Sequence, residues 1–184
     1  MGKRNSTLKP PDTMEDFKKE THFTEDEIKT YYKEFMEEHP EGKVDMEEFQ
    51  SIYVKIFKQG NPGPFCENVF RAFDTSNDGL LDFREFLCLM SIISRGTLDQ
   101  RLELAFSIYD LNDNGSISGD EMLEIVKCIF KMENDKGASE SPRELVAKVF
   151  GLMDKNHDMK LTKKEFVRGC KNNISIAKRL AFIG

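Results

Sequence analysis

Several features that would indicate other classes of protein are missing from this chain of 184 residues. It has no apolar run long enough to span a bilayer and no secretory signal. It has four cysteines, but none forms a CxxC pair and no cysteine–histidine cluster has zinc-ligand spacing. Neither a glycine-rich phosphate loop nor a nucleophile elbow is present. We therefore expect a cytoplasmic protein with buried free thiols, and not an enzyme.

Tryptophan is absent, and basic residues are outnumbered by acidic ones. Fifteen Phe and no Trp indicate helices that pack through phenylalanine side chains. The chain has 27 Lys and Arg against 33 Asp and Glu, which gives a net charge of −6. This balance disfavours binding along a nucleic-acid backbone, so we expect no nucleic-acid partner. Clustered acids suit a cation instead.

The chain does contain a repeated pattern of twelve residues, which begins at residues 37, 74, 110 and 154. The copies "DTSNDGLLDFRE" and "DLNDNGSISGDE" begin at 74 and 110. Both have an acid in first place, oxygen-bearing side chains third and fifth, glycine sixth, an aliphatic residue eighth and glutamate twelfth. This is the pattern of the EF-hand calcium loop. "DKNHDMKLTKKE", from 154, departs from it at the sixth place, and "EEHPEGKVDMEE", from 37, is the most divergent copy.

Apolar residues flank the copies at constant distances. An aromatic residue or methionine stands four and one places before loops two to four, and another follows every twelfth place, so that one helical face is apolar. The eighth places are all aliphatic, as short strands that pair neighbouring loops require: Val44, Leu81, Ile117 and Leu161. We predict an all-α fold of four EF-hands in two paired lobes, with short β-bridges between the paired loops.

Capping signals and chain breaks divide the sequence. Thr24 with Glu27, and Ser141 with Glu144, form capping boxes, the second with Pro142 at the first helical position. The stretch "SRGTLD" separates the second and third hands. The predicted organisation is an N-terminal segment with a short helix (1–22), an N-lobe (23–93), a hinge (94–98), a C-lobe (99–170) and a C-terminal helix or tail (171–184).

Loops two and three are predicted to bind calcium. Calcium takes six to eight oxygen ligands, and an EF-hand supplies them from the first, third, fifth, seventh, ninth and twelfth places. Loop two is the more acidic, and its predicted ligands are Asp74, Ser76, Asp78, the Leu80 carbonyl, Asp82 and Glu85. Loop three has only two charged ligands, and its predicted set is Asp110, Asn112, Asn114, the Ser116 carbonyl and Glu121. We expect loop two to bind more strongly.

Loop one departs from the pattern where ligands are needed. Glu37 is too long for the first place, and His39 replaces an oxygen ligand at the third. Pro40 fixes φ and removes an N–H that the loop would turn inward. We therefore predict a silent hand that pairs structurally with loop two.

Loop four has Met159 where the turn favours glycine. A left-handed backbone costs a residue other than glycine roughly 1–2 kcal/mol, and about 1.4 kcal/mol is a tenfold loss of affinity. The side chain should point outward, so no clash is forced. The predicted ligands are Asp154, Asn156, Asp158, the Lys160 carbonyl and Glu165. We expect a weakened site that is filled at raised calcium concentration, so that the whole protein binds two or three ions. The alternative is that loop four stays empty and serves only in packing.

The N-terminal stretch "MGKRNS" fits the N-myristoylation signal, with Gly2 as the acceptor after removal of methionine. One acyl chain binds a membrane only marginally, and nearby cations supply a second attraction. Lys3, Arg4 and Lys9 stand in this position. We expect a cytoplasmic protein that associates reversibly with a membrane surface.

With these features in view, the chain resembles the neuronal calcium sensor family, the group of frequenin, recoverin, neurocalcin and visinin-like proteins, from Gly2 to about Ile176. The resemblance is strongest in "TLKPP", "THFTEDEIKTYYKEF", "HPEGKVDMEEF" and "SRGTLDQRLELAFSIYDLNDNGSIS". Departures from the family pattern are His39 before Pro40, Tyr31 in place of a tryptophan, Asn112, Met159 and the C-terminal tail.

The resemblance implies a calcium–myristoyl switch, with pivots at Gly42 and Gly96. It also implies an apolar groove that binds an amphipathic helix of a target protein of the kinase, cyclase, channel or exchange-factor class. The implied groove residues are Tyr31, Phe35, Phe49, Ile52, Tyr53, Phe57, Phe86 and Met90. The alternatives are a passive calcium buffer and a constitutive regulatory subunit that resembles the regulatory chain of calcineurin.

Overall fold

The computed structural model describes residues 13–57, 63–132 and 140–180. The predicted acylation site Gly2 and the cations Lys3, Arg4 and Lys9 lie outside these ranges, as do the last four residues. The helices over the described ranges are α1 (Met14–Glu20), α2 (Glu25–Glu38), α3 (Met46–Phe57), α4 (Gly63–Phe73), α5 (Phe83–Arg95), α6 (Leu98–Tyr109), α7 (Gly119–Met132), α8 (Pro142–Met153), α9 (Lys163–Asn172) and α10 (Ile174–Leu180). None of these helices is long and apolar enough to cross a membrane.

Capping boxes begin the helices where the sequence predicts them. At the start of α2, the backbone N–H of Thr24 donates to the Glu27 carboxylate at 2.9 Å, and the Glu27 N–H donates to Thr24 Oγ1 at 3.4 Å. At the start of α8, Ser141 and Glu144 exchange the same pair of bonds at 2.7 and 3.3 Å. These bonds satisfy N–H groups that have no partner within the helix, so both ends are locally encoded.

Four short strands join the loops in two antiparallel pairs. They are β1 (Lys43–Val44), β2 (Leu81–Asp82), β3 (Ser116–Ser118) and β4 (Lys160–Thr162). Val44 lies opposite Leu81, and Ile117 lies opposite Leu161, so the four eighth-place residues are cross-strand partners. All four side chains have 0% exposure. The predicted fold of four hands in two paired lobes, with β-bridges, is thus confirmed.

The core is rich in phenylalanine, as the composition indicates. Phe65 and Phe166 are almost completely buried, and Phe49 packs edge-on against Phe70 with ring centroids 5.5 Å apart. Cys66 and Cys170 are buried free thiols, and burial raises the pKa of each to about 12. They are therefore uncharged at neutral pH and act as apolar core residues.

The two lobes are joined by a short break between α5 and α6, and α4 of the N-lobe packs against α6 and α7 of the C-lobe. Helix α5 ends at Arg95 and α6 begins at Leu98, so only Gly96 and Thr97 separate the helices. Arg71 of α4 lies against the C-terminal end of α6 in the other lobe. Its guanidinium donates to the carbonyls of Ser107 and Ile108 at 3.2 Å and of Asp110 at 3.3 Å. These carbonyls carry the negative end of the helix dipole, which favours a cation there.

The fourth hand is closed by a contact through glycine. Gly169 of α9 lies against Met153, the last residue of α8, so closely that a Cβ at 169 would stand 2.3 Å from the methionine Cγ. Helix α10 then packs back on the lobe and buries Ile176, Ala177 and Leu180. The two helices that flank loop four, α8 and α9, are therefore in direct contact through Gly169 and Met153.

Candidate calcium sites

Loops two, three and four share an unusual backbone. The sixth place is left-handed in each loop, with φ of 78° at Gly79, 84° at Gly115 and 65° at Met159. The fourth place is also left-handed, with φ of 56° at Asn77, 53° at Asp113 and 58° at His157. The left-handed backbone of Met159 follows from its place in the repeated pattern, whereas the left-handed fourth places are not among the predictions. The residue types held the signal, because Asn, Asp and His are the side chains that most often adopt positive φ.

The aspartate in the first place organises each of these loops. Its Oδ2 accepts a hydrogen bond from the backbone N–H of the sixth residue. The distances are 2.9 Å from Gly79 to Asp74, 2.8 Å from Gly115 to Asp110 and 3.0 Å from Met159 to Asp154. Asp110 and Asp154 are each only 4% exposed. A buried carboxylate therefore faces the interior of loops three and four.

Asp154 carries the clearest mark of a cation site. Its Oδ1 is buried, and no donor among the described residues bonds to it. A buried carboxylate oxygen without a partner is costly, because burial removes its hydrogen bonds to water. A cation in the loop would supply the missing partner. The other predicted oxygens of loop four are on hand: Asp158 accepts bonds from Asn156 and from the Lys160 N–H at 2.9 Å.

In loop two, predicted ligands accept hydrogen bonds from the loop's own N–H and O–H groups. Asp74 Oδ1 accepts from Ser76 Oγ and from the Asp78 N–H, both at 3.1 Å. Glu85 is only 7% exposed and accepts from the Ser76 N–H at 3.1 Å and from the Asp82 N–H at 3.1 Å. The twelfth-place carboxylate thus reaches back over the loop from the first turn of α5.

Loop three has the same arrangement with fewer charges. Glu121 Oε1 accepts from the amide of Asn112 at 2.7 Å, and Oε2 accepts from Ser118 Oγ at 2.6 Å. Burial alone would raise the pKa of Glu121. Hydrogen bonds from Ser118 and from the backbone of Asn112 and Leu111 nevertheless hold this pKa below its ordinary value. The carboxylate is therefore ionised at neutral pH, as a calcium ligand must be.

Loop one keeps the turn but not the ligands. Gly42 at its sixth place has φ of 72°, which matches the other loops. His39 occupies the third place and lies 3.5 Å from Glu48, the twelfth residue. Glu37 at the first place pairs at 3.7 Å with Lys33 on the surface of α2. Both residues thus contact other side chains of the first hand, and the silent hand stays a prediction.

The donor sets of loops two to four fit calcium better than a softer metal. They consist of carboxylate, amide, hydroxyl and carbonyl oxygens, which are the ligands of a hard cation. Within the described ranges, no three His, Cys, Asp or Glu side chains converge on one point. In loop two, Asp78 accepts a bond from Lys43 at 2.5 Å, and Glu85 accepts one from Thr75 at 2.8 Å. A calcium ion would have to replace these contacts.

The residues implied as a target groove are distributed over α2, α3 and α5 of the N-lobe. Phe35, Phe49 and Tyr53 are 2–7% exposed and belong to the core. The half-buried Tyr31, Ile52, Phe86 and Met90 pack against that core, while the side chain of Phe57 lies outside the described part of the structure. The ring of Phe35 contacts that of Phe86 with centroids 5.3 Å apart. A separation of α2 from α5 would therefore expose aromatic side chains that are now packed together.

Comparison with known proteins places this arrangement among the EF-hand proteins. Two family models, each described as an EF-hand domain pair, match residues 40–93 and 99–171. Human recoverin is 38% identical over 99% of this chain and 94% of its own length. Neuronal calcium sensor 1 of Lymnaea stagnalis is 40% identical over 98% and 96% of the two chains. Visinin of Gallus gallus is 31% identical over 99% and 98%.

These relatives match both lobes, including the degenerate first hand, at identities of 31–40%. Together with the two matches to the EF-hand domain pair, the likeness covers every structural repeat that the sequence predicts. The chain belongs to the neuronal calcium sensor family, the EF-hand proteins that include recoverin and visinin.

Proposed function

We propose that the protein is a calcium sensor that regulates a membrane-associated target. Calcium binds to loops two, three and four, with loop four the weakest, through the ligands that the sequence analysis assigns. The observation that carries this proposal is the buried first-place carboxylate of loop four, Asp154, whose Oδ1 has no donor among the described residues. Membership of a family of calcium sensors supports it.

Calcium binding converts loop contacts into helix movement. The bound ion supplies a point charge to which carboxylate oxygens turn, and the twelfth-place glutamate stands in the first turn of the exiting helix. In hand two, Glu85 would exchange its bonds to Thr75 and Ser76 for the ion and carry α5 with it. Phe86 and Met90 are on that helix, so its rotation would expose the apolar groove to an amphipathic helix of the target.

The proposal extends to the membrane and to the target. A myristoyl group on Gly2, with Lys3, Arg4 and Lys9, would hold the protein at a membrane when calcium is high. The target is a kinase, cyclase, channel or exchange factor, and nucleic acid is not a partner. The protein has no catalytic activity in this proposal, and its place is the cytoplasm with reversible membrane association.

The experiment that tests the sensor is a calcium titration of the full chain with Glu85→Gln. Calorimetry counts the ions and an apolar dye reports the groove. We expect the variant to lose the loop-two ion and most of the calcium-induced fluorescence. Glu103→Gln, an exposed change on α6, is the control and should behave like the parent protein. A parent protein that takes up no calcium at micromolar concentration would contradict the proposal.

A passive buffer and a constitutive subunit predict different behaviour. A buffer binds calcium without opening, so it would not be retained on a hydrophobic resin in calcium. A constitutive subunit would keep its partner after chelation, whereas a sensor releases it. For the acyl group, Gly2→Ala should leave calcium affinity nearly unchanged and abolish calcium-dependent sedimentation with liposomes.

A further inference from the structure

A lysine of the first hand, which is predicted to be silent, forms a hydrogen bond with one of the predicted calcium ligands of loop two. Lys43 occupies the seventh place of loop one and forms β1 with Val44. The antiparallel register sets it opposite Asp82, the ninth residue of loop two. From there its Nζ reaches Asp78, the fifth residue, and donates to Oδ2 at 2.5 Å.

The contact is electrostatic and specific to this lobe. The two carboxylate oxygens of Asp78 have different partners. Oδ1 accepts a bond from the Leu80 N–H at 3.0 Å, and Oδ2 accepts the bond from Lys43. Asp82 and Glu85 add to the negative field around the ammonium. In the C-lobe the register sets Lys160 opposite Ser118 in the same way, but the fifth residue of loop three is the neutral Asn114. Within the described residues, this cross-strand arrangement therefore joins a lysine to a predicted fifth-place carboxylate in the N-lobe and not in the C-lobe.

We propose that Lys43 is a tethered counter-cation that competes with calcium for Asp78, so that the silent hand sets the calcium affinity of loop two. The inference rests on the proposed function, because it requires loop two to bind calcium. It gives the first hand a role that needs no metal of its own. The exchange is one cation for another: the ammonium leaves the carboxylate as the ion arrives.

Two effects of Lys43 both lower the calcium affinity of loop two. Before binding, the ammonium stabilises the carboxylate cluster, and this stabilisation is lost when calcium displaces it. After binding, the displaced ammonium remains near a dication of like charge. Both side chains of the pair are about 40% exposed, so water and salt screen these effects. We therefore expect removal of the charge to tighten loop two by about fivefold, which corresponds to about 1 kcal/mol.

The test isolates loop two in the full chain. In a background with Glu121→Gln and Glu165→Gln, calorimetry measures calcium binding to Lys43→Gln, Lys43→Arg and the control Lys33→Gln. Lys33 is also in the first hand, but it pairs with Glu37 rather than with loop two. We expect an affinity gain of about fivefold for Lys43→Gln, little change for Lys43→Arg and Lys33→Gln, and a smaller gain in 1 M salt.

A second measurement separates competition from a merely structural role. Without calcium, Lys43→Gln should melt at a lower temperature than its background protein, because the acids of loop two lose their counter-cation. A structural role would lower both the melting temperature and the affinity, whereas competition lowers the first and raises the second. If the background substitutions disturb the fold, the Gly79 amide resonance reports loop two in the otherwise unchanged protein.

The outcomes distinguish the inference from the proposed function. Equal affinity of Lys43→Gln and Lys33→Gln at loop two would overturn the inference and leave the calcium sensor intact. A gain for Lys43→Arg as large as that for Lys43→Gln would also overturn it, because the charge would then be irrelevant. Absence of calcium binding at loop two in the parent protein would overturn both.

Discussion

Loops three and four have the same turn with different residues at its tightest point. Gly115 has φ of 84° and donates its N–H to Asp110 at 2.8 Å. Met159 has φ of 65° and donates to Asp154 at 3.0 Å. The methionine side chain is 71% exposed, so it meets no obstacle. The turn thus survives the loss of glycine, and the cost to loop four is confined to the backbone.

Hydrogen bonds to the first-place aspartate maintain the conformation of both loops. Each of the two loops has a first-place aspartate that accepts the sixth N–H, and each has a left-handed fourth residue as well. Strain at one residue is tolerated because the surrounding bonds determine the backbone. Loop four should therefore differ from loop three in affinity and not in architecture.

The largest expected effect comes from removing the twelfth-place charge. Glu121→Gln in loop three and Glu165→Gln in loop four should each weaken its own loop by about a hundredfold, or about 2.8 kcal/mol, because the bidentate carboxylate is lost. Calorimetry should show one ion fewer in each variant. Loss of an ion with Glu121→Gln but not with Glu165→Gln would mean that loop four is empty, and the comparison would then be between a site and a packed loop.

A smaller effect should follow from relieving the strain at the sixth place. Met159→Gly should tighten loop four by about tenfold, since roughly 1–2 kcal/mol of left-handed strain is removed. Met159→Ala is the matched control, because alanine keeps the Cβ that causes the strain but lacks the rest of the side chain. Competition with a calcium chelator measures both. Equal gains for the two variants would show that the methionine side chain, and not the backbone, weakens the loop.

The smallest effect concerns a contact that loop three makes with the N-lobe. Arg71→Met keeps the aliphatic stem but removes the bonds to the end of α6 and to the Asp110 carbonyl. We expect loop three to weaken by about threefold, since its first residue loses a fixed neighbour, and loop four to stay unchanged. Arg143→Met, at an exposed place on α8, is the control for loop four. A change of equal size in both loops would show a general loss of stability instead.

Local features of the fold could be predicted because they depend on residues close together in sequence. The capping boxes at Thr24 and Ser141 follow from side chains three residues apart, and the left-handed turn at Met159 follows from its place in a twelve-residue pattern. The strand partners followed from the repeat, because each eighth-place residue has an aliphatic counterpart in the neighbouring loop. The left-handed fourth places could also have been predicted from their Asn, Asp and His residues. The ligand sets themselves stay a prediction.

Contacts between distant segments could not be predicted. The bond from Lys43 to Asp78 spans 35 residues and depends on the register of β1 against β2 and on the rotamer of a long side chain. The hydrogen bonds from Arg71 to the carbonyls of α6 depend on how the two lobes pack. In the sequence, nothing distinguishes Arg71 from the other Lys and Arg residues, of which there are 27 in all. Gly96 and Thr97, which separate α5 from α6, lie inside the predicted hinge of 94–98, and the bounds of the hinge stay a prediction.

The contact between Gly169 and Met153 gives a mechanical lever on the fourth hand. A methyl group at position 169 would stand 2.6 Å from the methionine Sδ, so the buried Met153 side chain or one of the two helices would have to shift. Gly169→Ala would thus act as a wedge between the helices before and after loop four, without altering an oxygen ligand. The geometry of this hand therefore depends on the absence of a side chain at its base as well as on the residues of its loop.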